Sequence, residues 1–139
     1  MIYLLFICIR DRCSASIVDS DMHCHYSFND ANKLQSETIT EVVFNAIDKS
    51  GVSLKDINNI IVTNGPGNFT SIRVGVSFAL GFAKGISLPL YSLSSLELLS
   101  IFANKEIPSD KKFISIMPSR ADELFVQAFD SNGNKITSI

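Results

Sequence analysis

Proline and glycine are scarce in this chain of 139 residues, with four and seven copies, which excludes a collagen-like or low-complexity sequence. Charge is sparse as well: 19% of residues are charged and 46% hydrophobic, so the chain buries a core and does not stay disordered. Neither sign dominates. Twelve Lys and Arg against 14 Asp and Glu leave a net charge of −2, which offers no basic footprint for independent binding to nucleic acid or a membrane surface. Any role on RNA must be shared with a partner. Cysteine is limited to Cys8, Cys13 and Cys24, without C-x-x-C spacing. That odd count argues against a disulfide framework and a thiolate zinc site, and fits a reducing cytoplasm. No run approaches the roughly 18 consecutive apolar residues of a membrane span. The apolar stretch Ile2 to Ile9 lacks a basic leader and runs straight into Arg10-Asp11-Arg12, so it reads as a buried strand and not as a signal sequence.

What is present is an ordered series of elements within about one domain length. Tyr3 to Ile9, Ser14 to Asp19 and Met22 to Phe28 read as an antiparallel meander, with Asp19-Ser20-Asp21 suited to a tight turn. Ile39, Val42, Val43, Ala46 and Ile47 then repeat at helical spacing, with Ser36 placed to cap the helix and Gly51 to end it. Ile60 to Thr63 is a short β-branched run stopped by Asn64-Gly65-Pro66-Gly67. The helix from Thr70 to Lys84 carries only Arg73 and Lys84 as charges, so it must bury more than one face. Ser71, Gly75, Ala79 and Ala83 form a row without bulky side chains, and Ser77, Gly81 and Gly85 a second, along which another backbone can approach closely. A strand Leu88 to Leu93 and a helix starting at Ser94 or Ser95 complete an α/β unit. Strands Phe113 to Met117 and Leu124 to Asp130, a turn Ser131-Asn132-Gly133-Asn134 and a final strand ending at Ile139 follow a linker at 108–112. With no helix after them, these last strands should show one uncovered apolar face.

The most specific segment is Gly65-Pro66-Gly67-Asn68-Phe69-Thr70-Ser71-Ile72-Arg73-Val74-Gly75, between a strand and a helix. It resembles the G-P-G-S-F-T-G-[LIV]-R-[IV]-G signature of the TsaB (YeaZ) family, partner subunits in tRNA threonylcarbamoyladenosine synthesis. Pro89 with Ser94-Ser95-Leu96 resembles the family's continuation of this motif, and Ile114 to Phe129 its next strand pair, where Arg120 and Glu123 match and Pro118 replaces an Asp. The resemblance implies an α/β fold of the actin-like, RNase H-like (ASKHA) class: a mixed sheet with helices over 1–107, then over 108–139 a linker and the first strands of an incomplete second subdomain. It implies a cytoplasmic, non-catalytic scaffold with no cofactor, bound to a TsaD-like catalytic subunit, joined by a TsaE-like ATPase, and meeting tRNA only through that complex. The helices at 36–50 and 70–84 form the family's dimer interface, which makes Phe44, Ser71, Arg73, Gly75, Ala79, Phe82 and Ala83 the candidate partner-facing residues.

Several residues admit two readings. The loop Gly65, Pro66, Gly67, Phe69 and Thr70 is either an anion cradle at a helix start or a tight βα turn, and it lacks the Lys of a P-loop. Arg73 either pairs with a partner or snorkels to solvent. Phe44 lies roughly 130° from the centre of its helix's apolar stripe, so it is an interface anchor or part of a second core layer. His23 and His25 flank Cys24 and offer at most two adjacent metal ligands, so no metal site is expected. Ile7 and Cys8 stand where the family carries an Asp-Thr pair, Gln35 replaces a histidine before the first helix, and Asn68 and Ser71 replace Ser and Gly. Two further readings stay open: a metal- or ATP-dependent, glycoprotease-like enzyme, and a degenerate remnant that pairs with its own copy.

Overall fold

A computed structural model describes residues 1–9, 12–21, 23–29, 35–106, 108 and 110–139. The elements are β1 (Ile2–Cys8), β2 (Cys13–Asp19), β3 (Cys24–Asn29), α1 (Gln35–Ser50), β4 (Ile57–Thr63), α2 (Phe69–Ile86), β5 (Leu90–Leu93), α3 (Ser95–Glu106), β6 (Phe113–Pro118) and β7 (Leu124–Phe129). The first five strands form one sheet in the order β3-β2-β1-β4-β5. β1 pairs antiparallel with β2 and β2 with β3, whereas β4 joins β1 and β5 joins β4 in parallel, as helical crossovers require. The expected meander and α/β unit are thus parts of one mixed sheet.

Alternation along the strands sends Leu4, Phe6, Ala15, Ile17, Ile60 and Val62 to one face, where they meet Val42, Val43, Ala46 and Ile47 of α1 and Ala79 and Ala83 of α2. The α1 stripe read from helical spacing is therefore the buried one, Ile39 included. Gly51 ends that helix region with φ 72°, a left-handed conformation that favours glycine. The proposed cap Ser36 and the strand start Met22 lie outside the described side chains and residues; β3 itself begins at Cys24.

Three expectations change. β4 starts at Ile57, earlier than its β-branched run, because Ile57 pairs with Ile2 and seals the end of the core. The strand expected to end at Ile139 is reduced to one bridge between Lys135 and Phe129. Cys8 and Cys13 form a disulfide, against the expectation of none: the β1–β2 register sets them opposite each other with Cα atoms 4.3 Å apart. The cysteine count therefore carries no information about compartment.

β6 and β7 form a separate antiparallel pair. Its inner face holds Met117, Gln127 and Phe129, all buried, with Phe113 stacked on Phe129 at 5.5 Å, and α3 lies against both strands. Its outer face carries Ile114, Ile116, Leu124 and Val126, each between 41% and 59% exposed. That is the uncovered apolar face expected of strands without a following helix. Among the described residues, no helix is long and apolar enough to cross a membrane.

Candidate functional site

The glycine loop is built by close approach to β1. A Cβ on Gly67 would sit 2.6 Å from the Ile9 carbonyl oxygen, and the Asn68 N–H donates to that same oxygen at 2.7 Å. Gly65 has φ 107°, and its carbonyl accepts from the Ser95 N–H at 2.7 Å, which ties the loop to the start of α3. Asn68 caps α2: its Oδ1 accepts from the Ser71 N–H and from the Ser71 hydroxyl, both at 3.2 Å. The N–H groups of Asn68 and Ser71 are thus occupied within the chain, which favours the tight-turn reading of Gly65, Pro66, Gly67, Phe69 and Thr70 over an anion cradle.

The small-residue row of α2 turns inward. Ser71, Gly75, Ala79 and Ala83 are all buried, and a Cβ on Gly75 would lie 2.8 Å from Cys8 Cβ and 2.9 Å from its sulfur. The close approach inferred from sequence is real, but the approaching backbone is the chain's own β1. These four residues are corrected from partner-facing to core, because α2 seats on the sheet through them. Their hydrophobic neighbour Phe82 is only partly buried. Its ring meets Phe44 edge-on at 6.2 Å, stacks on Phe78 at 5.7 Å and meets Phe6 edge-on at 6.2 Å. Phe44, about half exposed, ends this aromatic ladder, so it belongs to both readings: a second core layer beneath and an open ring edge above.

The outward face of α2 presents Arg73, Ser77, Leu80, Gly81, Lys84 and Gly85, all exposed. The second small row faces outward, and a Cβ at Gly81 or Gly85 would meet nothing within 4 Å. Leu80 is 56% exposed and was not singled out from sequence. The signal was available: at 100° per residue Leu80 falls within about 40° of both Arg73 and Lys84, the two charges that mark the wet side. Arg73 places its guanidinium 5.1 Å from the centre of the Phe69 ring, a cation–π contact within its own helix.

A cleft of about 710 Å³ lies between the glycine loop and the second sheet, lined by Asn64 to Gly67, Phe69, Ile72, Ser92, Ser94, Glu97, Phe125, Lys135 and Ile139. Its two charges neutralise each other, Lys135 Nζ standing 2.8 Å from Glu97 Oε1. Glu97 Oε2 also accepts from the Ser94 N–H while Ser94 Oγ accepts from the Glu97 N–H, a reciprocal cap of α3. Burial raises the Glu97 pKa, but hydrogen bonds from Lys135 and Ser94 outweigh it and hold the carboxyl below the ordinary glutamate value. Arg120 and Glu123 occupy the β6–β7 turn, and Arg120 borders a smaller cavity of about 380 Å³ beside Gly67 and Phe69.

Asp19, Asp21 and His23 gather their donor atoms within 4.8 Å of one another at the β2–β3 turn, and His25 also faces Asp19. The two histidines expected from sequence therefore have carboxylate neighbours that a count of H-C-H alone misses.

Residues 17–137 match the family model of TsaD, described as tRNA N6-adenosine threonylcarbamoyltransferase. The chain belongs to the TsaD family. A tRNA N6-adenosine threonylcarbamoyltransferase of Geobacter sp. (strain M21) is 36% identical over 112 residues, covering 76% of this chain and 32% of that protein. The tRNA threonylcarbamoyladenosine biosynthesis protein TsaB of Escherichia coli (strain K12) is 32% identical over 87 residues, covering 62% of this chain and 37% of that protein. YeaZ from Pseudomonas aeruginosa superposes with a TM-score of 0.78 at 21% identity, over 96% of this chain and 62% of the solved one. The expected likeness to TsaB and YeaZ and the actin-like, RNase H-like fold class are thereby met. The chain spans about a third of the length of these curated TsaD and TsaB relatives.

Proposed function

We propose that this TsaD-family chain acts as a non-catalytic partner subunit for a TsaD-like synthase that forms N6-threonylcarbamoyladenosine at position 37 of tRNA. The observation that carries the proposal is the outward face of α2, where Leu80 stands exposed beside Gly81 and Gly85, with open space above both glycines. An apolar residue beside a glycine-floored strip lets a neighbouring helix come close, and Arg73 and Lys84 can border such a contact. Phe44 and Phe82, at the top of the aromatic ladder, extend the contact onto α1. On this reading residues 1–107 form the docking subdomain and 108–139 open a second one. A TsaE-like ATPase joins through the complex, and tRNA is held by the complex and not by this weakly acidic chain.

The family match also brings an enzymatic reading, in which the chain contributes to threonylcarbamoyl transfer or to an ATP- or metal-dependent activity. The cleft speaks for the scaffold reading: its charges, Glu97 and Lys135, are spent on each other, and the end of β1 carries Ile7 and Cys8 and no carboxylate. The test is co-purification of the full chain with a TsaD homologue, using wild type, Leu80→Asp and Gly81→Arg, with circular dichroism to confirm folding. Leu80→Asp and Gly81→Arg are expected to lose the partner while staying folded. Retained association in both, or modified nucleoside formed by the chain without TsaD, would reject the scaffold. Light scattering of the chain alone separates a third outcome, a homodimer through the same face.

A further inference from the structure

We infer that the turn joining β2 to β3 is a binding site for a divalent first-row transition metal, with Asp19, Asp21 and His23 as ligands and His25 supporting the site from its place against Asp19. The turn is fixed by one carboxylate. Asp19 Oδ1 accepts from the N–H groups of Asp21 and His23, both at 2.9 Å, which orients the side chain and leaves Oδ2 to face outward. Two imidazoles converge on that oxygen: His25 Nε2 lies 3.4 Å away and His23 Nδ1 3.6 Å. Both distances exceed the roughly 2.7–3.2 Å of a nitrogen-to-oxygen hydrogen bond. They match the separation of neighbouring donors around a tetrahedral ion, since bonds of about 2.0–2.1 Å place ligand atoms about 3.4 Å apart. Asp21 supplies a second carboxylate, its oxygen within 4.8 Å of the Asp19 and His23 donors.

The chain reaches this arrangement through an irregular register. β2 and β3 pair Ile17 with Tyr26 and then Val18 with Cys24, so His25 is the unpaired residue. A bulge of this kind bends a strand and re-aims a side chain. Here it brings His25 to the carboxylate that His23 also meets. An imidazole ligand among carboxylates favours zinc, copper or nickel over magnesium and calcium, which prefer all-oxygen shells. Bound metal would tie the outermost strand of the sheet to β2 and so stabilise that edge.

The experiment is isothermal titration of the full chain, free of any histidine tag, with zinc chloride and with magnesium chloride as control. One zinc per chain is expected, with a rise in thermal midpoint and no magnesium binding. His23→Ala and His25→Ala should each weaken zinc by about tenfold or more, the loss seen when even indirect support of a metal site is removed. The double variant should lose saturable binding, and Cys24→Ser should retain it. All three substituted positions are exposed, on the turn or the edge strand, and circular dichroism checks that the four variants fold. Absence of saturable binding at millimolar zinc overturns the proposal. So does wild-type affinity in the double histidine variant, or a loss of binding confined to Cys24→Ser.

Discussion

The same substitution at two positions of α2 should have opposite signs. At Gly75 an added Cβ would fall 2.8 Å from Cys8 Cβ and 2.9 Å from its sulfur, about 1 Å inside an ordinary carbon contact. Cys8 is a core residue of β1, cross-linked to Cys13, and cannot swing aside, so α2 must lift off the sheet. Overpacking of this kind costs about 1–3 kcal/mol, while exchanging Gly for Ala in a helix returns about 1 kcal/mol. Gly75→Ala should therefore destabilise by about 1 kcal/mol net. At Gly81 a Cβ meets nothing within 4 Å, and only the helical gain of up to about 1 kcal/mol remains. Urea unfolding followed by circular dichroism should show the midpoint falling for Gly75→Ala and rising for Gly81→Ala, with unchanged slope. Equal stabilisation by both would mean that α2 is not seated on Cys8, and the assignment of its inner row to the core would be wrong.

Other expectations follow from single contacts. Asn68→Ala removes the cap of α2 and a hydrogen-bond partner of Ser71; it should cost about 1 kcal/mol in urea unfolding, and no cost would show that the helix start is held without this cap. Glu97 has a depressed carboxyl pKa in the folded chain, so its ion pair contributes fully above the unfolded value and is lost as pH falls through the lower, folded one. Lys135→Ala should thus be less stable than wild type at neutral pH, by up to about 1 kcal/mol, and the gap should close in acid; a gap that persists in acid would refute the pairing. Converting the exposed cross-strand pair to Ile116→Lys with Val126→Glu should lower the binding of a hydrophobic dye while changing stability by under about 0.5 kcal/mol. A larger loss would show that this face is packed in solution.

How much of this was legible beforehand varies with the range of the interaction. The α1 stripe from Ile39 to Ile47, the glycine loop, the turn at Ser131 to Asn134 and the bare apolar face of the last strands depend on neighbours a few residues apart, and all were readable. The Ser131 turn is held locally, Asp130 Oδ1 accepting from the N–H groups of Asn132 and Asn134. The candidate site was half legible. Spacing revealed two small-residue rows on α2 but not which one the sheet would claim, although Arg73 and Lys84 opposite the first row pointed to the answer. Leu80 passed unnoticed because an apolar residue on an apolar helix stands out only once the wet side is known.

By itself the amino-acid sequence determined the local items: where helices and strands lie to within a few residues, which helix was too apolar for water on every side, and which motif ties the chain to its family. Each rests on periodicity, backbone preference or a contiguous pattern. Tertiary structure alone decided that Gly75 meets Cys8, that Cys8 meets Cys13, and that His23 and His25 share a carboxylate. Those outcomes depend on strand register and on the angle at which a helix settles on a sheet, and both are set by the packing of residues far apart along the chain.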